Sequence, residues 1–354
     1  MKNLHVFIIL IFIISTGFEL KSENRPRVFV FTDINIDSGD PDDRQSLIHL
    51  LWYADELRIE GVVPDRWNAR GLEACQLTAR AYAKDYHQYN FRKKGYPDPE
   101  TINNKFAFNR EDAIKRFQKA ASVENDPLYV LIWGSMTLFG EALRSKPEVS
   151  GNIRVITIGT DLMIEDYRQH IPADWEKTEK PCEQYNWNGH GRNAIFSDPR
   201  FNDMWWLEIN WTYEGMFTGD EPGEMFHKLA QYGHLGQHMK EVVKNEAWAQ
   251  YFRVGDTPSV LYVIDRGHNP DDPTKASWAG KFIKPFPNER PNYYADFSGP
   301  VKWDYNNPCE TWENHTAFRD HAKSTLEAQR PEMYNALLKK MDKVYDNSKR
   351  NRKN

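Results

Sequence analysis

The chain has 354 residues, of which 40% are hydrophobic and 14% aromatic, so it can bury the core of one large α/β domain. Its 46 basic and 51 acidic residues give a formal net charge of −5, which excludes the basic field expected of a nucleic-acid-binding protein. The three cysteines, at positions 75, 182 and 309, lack metal-ligand spacing and allow at most one disulfide, so a disulfide scaffold is not indicated.

The first predicted element is a signal peptide at residues 1–22. A lysine at position 2 precedes an apolar run from Leu4 to Ile14, which is too short for a comfortable membrane span. An uncleaved anchor helix is the alternative, but polar residues follow soon after Phe18 and no second apolar span follows. We therefore expect a soluble periplasmic or secreted protein with no stable membrane span, a domain at residues 23–345 and a solvated basic tail at residues 346–354.

The next elements alternate between strands and helices. Residues 27–33 form a short apolar run ending in the carboxylate of Asp33, as expected of a central parallel strand, and Asp40 with Pro41 predicts the start of a helix. Further strands are predicted at residues 57–63, 128–134, 153–158 and 204–210, and helices at residues 72–86, 112–123, 138–143 and 224–244. This alternation predicts a single α/β domain with a mostly parallel central sheet flanked by helices, carrying a long insertion at residues 160–203.

An acidic loop follows the first predicted strand. Five aspartates occupy the eleven positions from Asp33 to Asp43, at the strand end where parallel α/β sheets bind ligands. Carboxylates this close repel one another, and calcium or magnesium would keep them ionised together. Capping of the helix without an ion is the alternative, but it explains Asp33 poorly. An EF-hand is disfavoured because Ser38 and Arg44 stand where its turn glycine and bidentate glutamate belong.

Three segments of the chain resemble the motifs of nucleoside hydrolase-like proteins. They are residues 32–34 with 40–47 (TDI and DPDDRQSL), residues 131–137 (LIWGSMT) and residues 255–259 (GDTPS). In true nucleoside hydrolases the first motif reads Asp-x-Asp-Pro-Gly-x-Asp-Asp and the second Gly-Pro-Leu-Thr. The resemblance is to a secreted bacterial branch of unknown function, often labelled as cellulose-binding proteins with a nucleoside hydrolase-like domain. It covers most of residues 27–285 and implies a nucleoside hydrolase-like, Rossmann-like fold.

In this family the motifs hold a calcium ion, Ca2+, and the resemblance implies a role for each matched residue. Asp33 is implied to be both a metal ligand and the base that takes a proton from the attacking water. Asp43 and Asp256 are implied as metal ligands, and Thr137 as a ligand through its backbone carbonyl. Asp42 is implied to contact a sugar hydroxyl and the calcium-bound water. The position of Asp256 before Pro258 also predicts that Asp256 caps the following helix.

Two further features bear on the substrate. Glu208 and Asn210 resemble a Glu-x-Asn pair that binds sugar hydroxyls in nucleoside hydrolases, although the polar face of a strand explains them equally well. Phe31 replaces the first aspartate of the parent motif, and Gly255 stands where many parent enzymes carry a histidine near the leaving group. The residues implied to bind sugar and calcium therefore match the family motifs, whereas the residues that activate a nucleobase in the family do not have counterparts here.

These observations predict a calcium-dependent hydrolase of N-glycosidic or related glycosyl bonds, acting on a small sugar, a nucleoside or an oligosaccharide. The alternative is a carbohydrate-binding protein that keeps the fold without catalysis. Tryptophans in polar loops, such as Trp67, Trp278 and Trp303, either stack on sugars or simply pack. His234 and His268 are candidate acids, although isolated histidines are more often structural. Self-association into a homo-oligomer is left open.

Overall fold

A computed structural model of the chain describes residues 25–37, 40–160, 191–243 and 246–345. The predicted signal peptide, the basic tail and residues 161–190 of the predicted insertion lie outside the described residues. Within the described part of the chain, no helix combines the length and apolar character needed to cross a bilayer.

A mostly parallel sheet lies at the centre of the fold. Its strands are β1 (Arg27–Thr32), β2 (Arg58–Pro64), β3 (Leu128–Trp133), β4 (Ile153–Ile158), β5 (Trp205–Ile209), β6 (Phe282–Ile283) and β7 (Tyr293–Asp296). Their order across the sheet is β2-β1-β3-β4-β5-β7-β6, and only the edge pair of β6 with β7 is antiparallel. The predicted α/β architecture with a mostly parallel sheet is confirmed.

Helices cover both faces of this sheet. They are α1 (Asp42–Trp52), α2 (Gly71–Gln88), α3 (Pro99–Asn103), α4 (Arg110–Ala121), α5 (Thr137–Arg144), α6 (Arg192–Phe196), α7 (Glu221–Leu229), α8 (Gly233–Val242), α9 (Pro258–Ile264), α10 (His315–Glu327) and α11 (Arg330–Tyr345). The larger core packs α1, α2, α8, α9 and α11 against one face, and the smaller core packs α4, α5 and α6 against the other. The strands are mostly apolar because both faces of the sheet are covered by helices.

The first strand shows how this burial positions the candidate site. Side chains alternate between the two faces, so Val28 and Val30 enter the larger core and Phe29 and Phe31 the smaller one. The ring of Phe31 packs against α4 and α5 and is fully buried. The position of the parent motif's first aspartate is therefore a core position in this chain, and the polar residues begin where β1 ends.

The predicted single helix at residues 224–244 is wrong, because the structure has two helices there, α7 and α8. The chain bends at Gly233, whose φ of +60° strains any residue with a side chain. A Cβ atom at Gly233 would also lie 2.2 Å from Cε1 of Tyr345 and 2.5 Å from Oδ1 of Asp85. The carboxylate of Asp85 accepts the first backbone N–H groups of α8, including that of Leu235 at 2.9 Å. The contact between Asp85 on α2 and the start of α8 therefore separates α8 from α7.

Two of the three cysteines lie in the described residues. Cys309 is disulfide-bonded, whereas Cys75 is a free thiol buried in the larger core. Burial raises the pKa of the Cys75 thiol, because the thiolate would lose its hydration. This agrees with the expectation of at most one disulfide and one remaining thiol.

Candidate functional site

The residues of the sequence motifs lie at the edge of the sheet where the parallel strands end. Asp33 directly follows β1, Gly134 directly follows β3, and Asp42 begins α1. Asp256 lies two residues before α9, which packs against β3 and β4. Because the ends of parallel strands lie side by side, residues far apart in the sequence meet at this edge.

Two hydrogen bonds hold the segment around Asp256 in place. The backbone N–H of Arg253 donates to Oε1 of Gln45 on α1 at 2.7 Å. The indole N–H of Trp133 on β3 donates to Oγ of Ser259 at 2.8 Å, and that hydroxyl donates to the carbonyl of Asp256 at 2.6 Å. Asp256 is therefore fixed against both α1 and β3.

Asp42, Asp43 and Asp256 form the acidic cluster of the site. One carboxylate oxygen from each lies within 4.8 Å of the other two. Asp42 and Asp43 are half-buried, and Asp256 is only 5% exposed. The Oδ2 atom of Asp256 is buried and, within the part of the chain that the structure describes, accepts no hydrogen bond. A buried carboxylate oxygen without a donor is costly, so the site is chemically suited to a cation.

The electrostatics of the cluster support the same interpretation. Burial, together with the neighbouring carboxylates of Asp40 and Asp33, raises the pKa of Asp42 to about 8. Burial is also the main cause that raises the pKa values of Asp43 and Asp256 well above the usual range, and the surrounding aspartates add to it. Without a cation these groups therefore retain protons, and a hard divalent ion would release those protons by binding the carboxylates.

The chain's own hydrogen bonds orient only part of this cluster. The hydroxyl of Thr32, at the end of β1, donates to Oδ1 of Asp43. The backbone N–H of Asp43 donates to Oδ1 of Asp42 at 2.9 Å. These contacts turn the two carboxylates toward the strand end, where Asp256 also lies.

Asp33 lies next to this cluster but is not one of its three members. Its Oδ2 accepts from the guanidinium of Arg66 at 3.1 Å. A Cβ atom at Gly134 would lie 3.0 Å from Cγ of Asp33, so the glycine leaves room for the carboxylate. Asp33 is still close enough to raise the pKa values of all three clustered aspartates. The ion pair with Arg66, from the segment after β2, was not predicted.

Thr137 lies at the same edge, at the start of α5. Its hydroxyl lies 2.7 Å from that of Ser135, and the residue is exposed. The implied role concerns the backbone carbonyl of Thr137 rather than this side chain. That role stays a prediction.

Both predicted helix caps differ from the structure. Pro41, rather than Asp40, stands at the N-cap position of α1, and the Asp40 carboxylate instead accepts the backbone N–H of Asp42 at 3.3 Å. Thr257, rather than Asp256, stands at the N-cap of α9. Because the side chain of Asp256 does not cap the helix, its carboxylate is left to face Asp42 and Asp43.

Gly255 lies close to three side chains of the site. A Cβ atom there would lie 3.2 Å from Oδ2 of Asp42, 3.4 Å from Cδ2 of Tyr213 and 3.5 Å from Cε1 of Phe217. A histidine at this position would therefore have to displace its neighbours. Tyr213, which the sequence did not single out, stands beside Asp42, and burial raises the pKa of its hydroxyl, which stays protonated.

An aromatic wall of Tyr213, Phe217 and Trp248 extends from the acidic cluster. The guanidinium of Arg253 lies 4.7 Å from the ring centre of Phe217 and 5.3 Å from that of Trp248. The same guanidinium lies 3.6 Å from Oδ2 of Asp40. Trp248 is 49% exposed, so an apolar ring surface faces solvent close to the acidic groups. This wall could not be predicted from the sequence because its members come from two separate segments.

Glu208 and Asn210 lie at the end of β5 and have partners inside the protein. Both carboxylate oxygens of Glu208 accept from Arg192, at 2.9 and 2.8 Å, and the Tyr293 hydroxyl also donates to Glu208. The backbone N–H of Asn210 donates to the buried carboxylate of Asp296 at 3.1 Å. The adjoining cavity of about 20 Å³ has room for little more than one water. The carboxylate of Glu208 is thus engaged inside the protein, and the implied sugar-binding role of Glu208 and Asn210 stays a prediction.

The two candidate histidines lie away from the acidic cluster. The ring of His234, at the start of α8, lies 3.0 Å from the amide oxygen of Gln88. His268 lies beyond the far end of α9, where its Nδ1 is 3.5 Å from the carboxylate of Asp265. Because α9 starts at the cluster and runs away from it, His268 is separated from Asp256 by the length of that helix.

The sheet order and strand-end site define an α/β protein of the nucleoside hydrolase-like class. The chain belongs to the family described as cellulose-binding Sde182, nucleoside hydrolase-like domain, whose model matches residues 27–282. The family resemblance seen in the sequence motifs is thereby confirmed.

Solved structures that match this chain have low sequence identity to it. A nucleoside hydrolase-related hypothetical protein from Saccharophagus degradans, associated with carbohydrate metabolism, matches with a TM-score of 0.59 and 18% identity, covering 91% of this chain and 72% of that one. This likeness shows a shared fold. An inosine-uridine preferring nucleoside hydrolase from Bacillus anthracis matches with a TM-score of 0.38 and 15% identity, covering 68% of this chain and 82% of that one. No protein with a curated description matches the sequence.

Proposed function

We propose that this protein is a calcium-dependent hydrolase of N-glycosidic or related glycosyl bonds, with Asp42, Asp43 and Asp256 at its metal site. The observation that supports the proposal most is the meeting of these carboxylates at a strand end, with the buried Oδ2 of Asp256 lacking a donor among the described residues. Calcium favours such oxygen ligands and tolerates irregular geometry. Thr137 is proposed to add its backbone carbonyl.

Neighbouring carboxylates are proposed to have separate roles in catalysis. When bound, calcium lowers the pKa of a coordinated water and attracts sugar hydroxyls. Asp33 is proposed to accept the proton of the attacking water, and the ion pair with Arg66 holds its carboxylate in place. Asp42 is proposed to accept a hydrogen bond from a sugar hydroxyl. The arrangement would then stabilise the positive charge that develops on the sugar in the transition state.

The leaving group is proposed to be one that needs little activation by a histidine. Gly255 supplies no imidazole beside Asp42, and His234 and His268 lie elsewhere in the fold. The aromatic wall instead offers Trp248 as a flat surface for the part of the substrate beyond the cleaved bond. A glycosyl bond within a carbohydrate would still need an acid to protonate its leaving oxygen, so the aromatic wall bears on the shape of the substrate and not on the leaving group.

The proposal is tested by measuring release of reducing sugar from a panel of nucleosides and oligosaccharides, with added calcium or with chelator. We expect turnover of at least one substrate in calcium and none in chelator. Asp33→Ala should reduce kcat by about 10²–10⁴-fold, as expected for loss of a general base. Asp37→Ala, which removes an exposed aspartate of the same loop, is the matched control. Turnover that persists in chelator would contradict the metal-dependent mechanism.

A non-catalytic carbohydrate-binding function is the second candidate. The description of the family as cellulose-binding and the exposed ring of Trp248 favour it. In that case oligosaccharides bind in the presence of calcium, but no substrate in the panel is turned over. Equilibrium binding and turnover, measured on the same samples, separate the two functions.

Arg66→Met is expected to tighten calcium binding about tenfold, or about 1.4 kcal/mol. The change removes a positive charge from beside the site and frees the Asp33 carboxylate to join the cluster. Calcium titration by calorimetry measures the effect. Arg58→Met is the control, because Arg58 pairs with Asp126 at the opposite end of the sheet. Unchanged or weaker binding in Arg66→Met would show that Asp33 does not contribute to the metal site.

Trp248→Ala is expected to raise the KM for an oligosaccharide about tenfold with little change in kcat, because the exposed ring contributes binding but no chemistry. Trp248→Phe should retain most of the affinity. The exposure of the side chain predicts a small effect on stability. Steady-state kinetics and thermal unfolding of both variants check this, and an equal loss in both variants would argue against ring stacking.

A further inference from the structure

A second polar and aromatic groove lies outside the acidic cluster. It has a volume of about 440 Å³ and is bordered by the segments that follow β6 and β7. Its size falls within the range of about 300–1,000 Å³ typical of small-molecule sites. All of its lining residues follow residue 282, where the match to the family model ends. The rings of Phe286, Trp303 and Tyr305 and the polar side chains of Asp304, Asn306 and Glu310 line it.

The aromatic side of this groove is held rigidly. The ring of Trp303 packs on that of Phe318, with centres 4.5 Å apart and planes 30° apart. The hydroxyl of Tyr305 donates to the carbonyl of Asp296 at 2.5 Å and accepts the backbone N–H of Ser298 at 3.2 Å. The half-buried rings of Trp303 and Tyr305 are thus supported from behind and keep a surface toward the groove. Rigid rings bind a ligand without losing side-chain entropy.

The polar side of the groove is also fixed before any ligand binds. The backbone N–H of Asp304 donates to the hydroxyl of Thr311 at 2.9 Å, and one Asp304 oxygen accepts the N–H of Asn306 at 2.9 Å. The Asn307 amide donates to Glu310 at 2.7 Å, and the adjacent Cys309 is disulfide-bonded. Carboxylate acceptors and the Asn306 amide therefore line the same groove as the aromatic rings.

The aromatic and polar side chains of the groove together indicate which class of ligand fits it. Flat rings complement the apolar face of a pyranose, and carboxylate and amide groups complement its hydroxyls. Two carboxylates and a single lysine, Lys302, line the groove, so an anionic phosphate ligand is disfavoured. A neutral carbohydrate satisfies both sides of the groove.

We propose that this groove is a second carbohydrate-binding site, which binds a neutral oligosaccharide independently of the metal site. Trp303 and Tyr305 also line the small cavity beside Glu208 and Asn210, so the groove lies next to the strand ends. A bound oligosaccharide would anchor the protein on its carbohydrate. This proposal does not depend on catalysis at Asp33.

The test is calorimetric titration of the full chain with cellotetraose in the presence of chelator, so that the metal site does not contribute. We expect binding that is weakened at least tenfold by Trp303→Ala and by the exposed double variant Asn306→Ala with Glu310→Gln. The matched control, Glu100→Gln with Asn103→Ala, makes the same changes on the exposed surface of α3 and should bind as the unmodified protein does.

The double variant keeps the test informative if Trp303→Ala does not fold, because its side chains are exposed. Absence of binding in chelator, or binding that the double variant leaves unchanged, would overturn the proposal. Calcium titration of the same variants reports separately on the cluster of Asp42, Asp43 and Asp256. Failure of this proposal is therefore distinguishable from failure of the proposed calcium site.

Discussion

Asp256→Asn is expected to lower calcium affinity at least 100-fold while making the calcium-free protein more stable. Asp256 is the most buried member of the cluster, and its unpartnered Oδ2 is the atom best placed for a cation. Loss of this oxygen removes a charged ligand from the proposed site. Without calcium, the same change removes the cost of burying a carboxylate beside other aspartates, and it should add about 1–2 kcal/mol to the free energy of unfolding at pH 8.

The raised pKa of Asp42 makes the free energy of unfolding of the calcium-free protein depend on pH. The pKa of Asp42 is about 8 in the folded chain, whereas a carboxyl group in the unfolded chain has its ordinary value near 3.8. Between these values the folded state binds more protons, so the stability that this group contributes is present at low pH and is lost as the pH rises through 8. In chelator, the free energy of unfolding should therefore fall from pH 5 to pH 8.

Calcium should reverse this fall, because it replaces the protons as the partner of the carboxylates and binds only the folded state. Thermal unfolding of the unmodified protein and of Asp256→Asn, at pH 5 and pH 8 with and without calcium, measures all these effects. Asp320→Asn, which alters an exposed ion pair on α10, is the control. If Asp256→Asn binds calcium as tightly as the unmodified protein, the acidic cluster is not the metal site.

Glu208→Ala is expected to lower the free energy of unfolding by about 3–5 kcal/mol, the range for breaking a buried ion pair. The Glu208 side chain is 1% exposed and that of Arg192 is 9% exposed. The change would remove two hydrogen bonds from the buried Arg192 guanidinium and one from the Tyr293 hydroxyl. Urea denaturation measures the loss.

The double variant Glu208→Ala with Arg192→Ala should be less destabilised than the sum of the two single variants, because neither charge is then left alone. Glu73→Ala, which breaks an exposed pair with Arg70, should have only a small effect. Calcium affinity should be unchanged in the Glu208 variants that fold. A stable Glu208→Ala variant that no longer binds sugars would instead support the Glu-x-Asn interpretation.

Long buried segments of this fold were predictable from the sequence, whereas short ones were not. The strand at residues 153–158 was placed at its observed bounds, and β1, β3 and β5 were placed within one residue. Continuous apolar runs specify strands that are buried on both faces. In contrast, β6 has two residues and β7 has four, too few for any periodicity, and both were missed. The division of α7 from α8 depends on contacts of Gly233 with Asp85 and Tyr345.

The sequence by itself determined that an apolar strand ends in an acidic loop, and that a helix starts close to Asp40 and Pro41. Only the tertiary structure decided which carboxylates face one another, because the ends of neighbouring parallel strands meet across large sequence separations. It brought Asp256 within 4.8 Å of Asp42 and Asp43. It turned Asp33 toward Arg66. It also paired Glu208 with Arg192, since a buried charge requires a partner that local sequence does not specify.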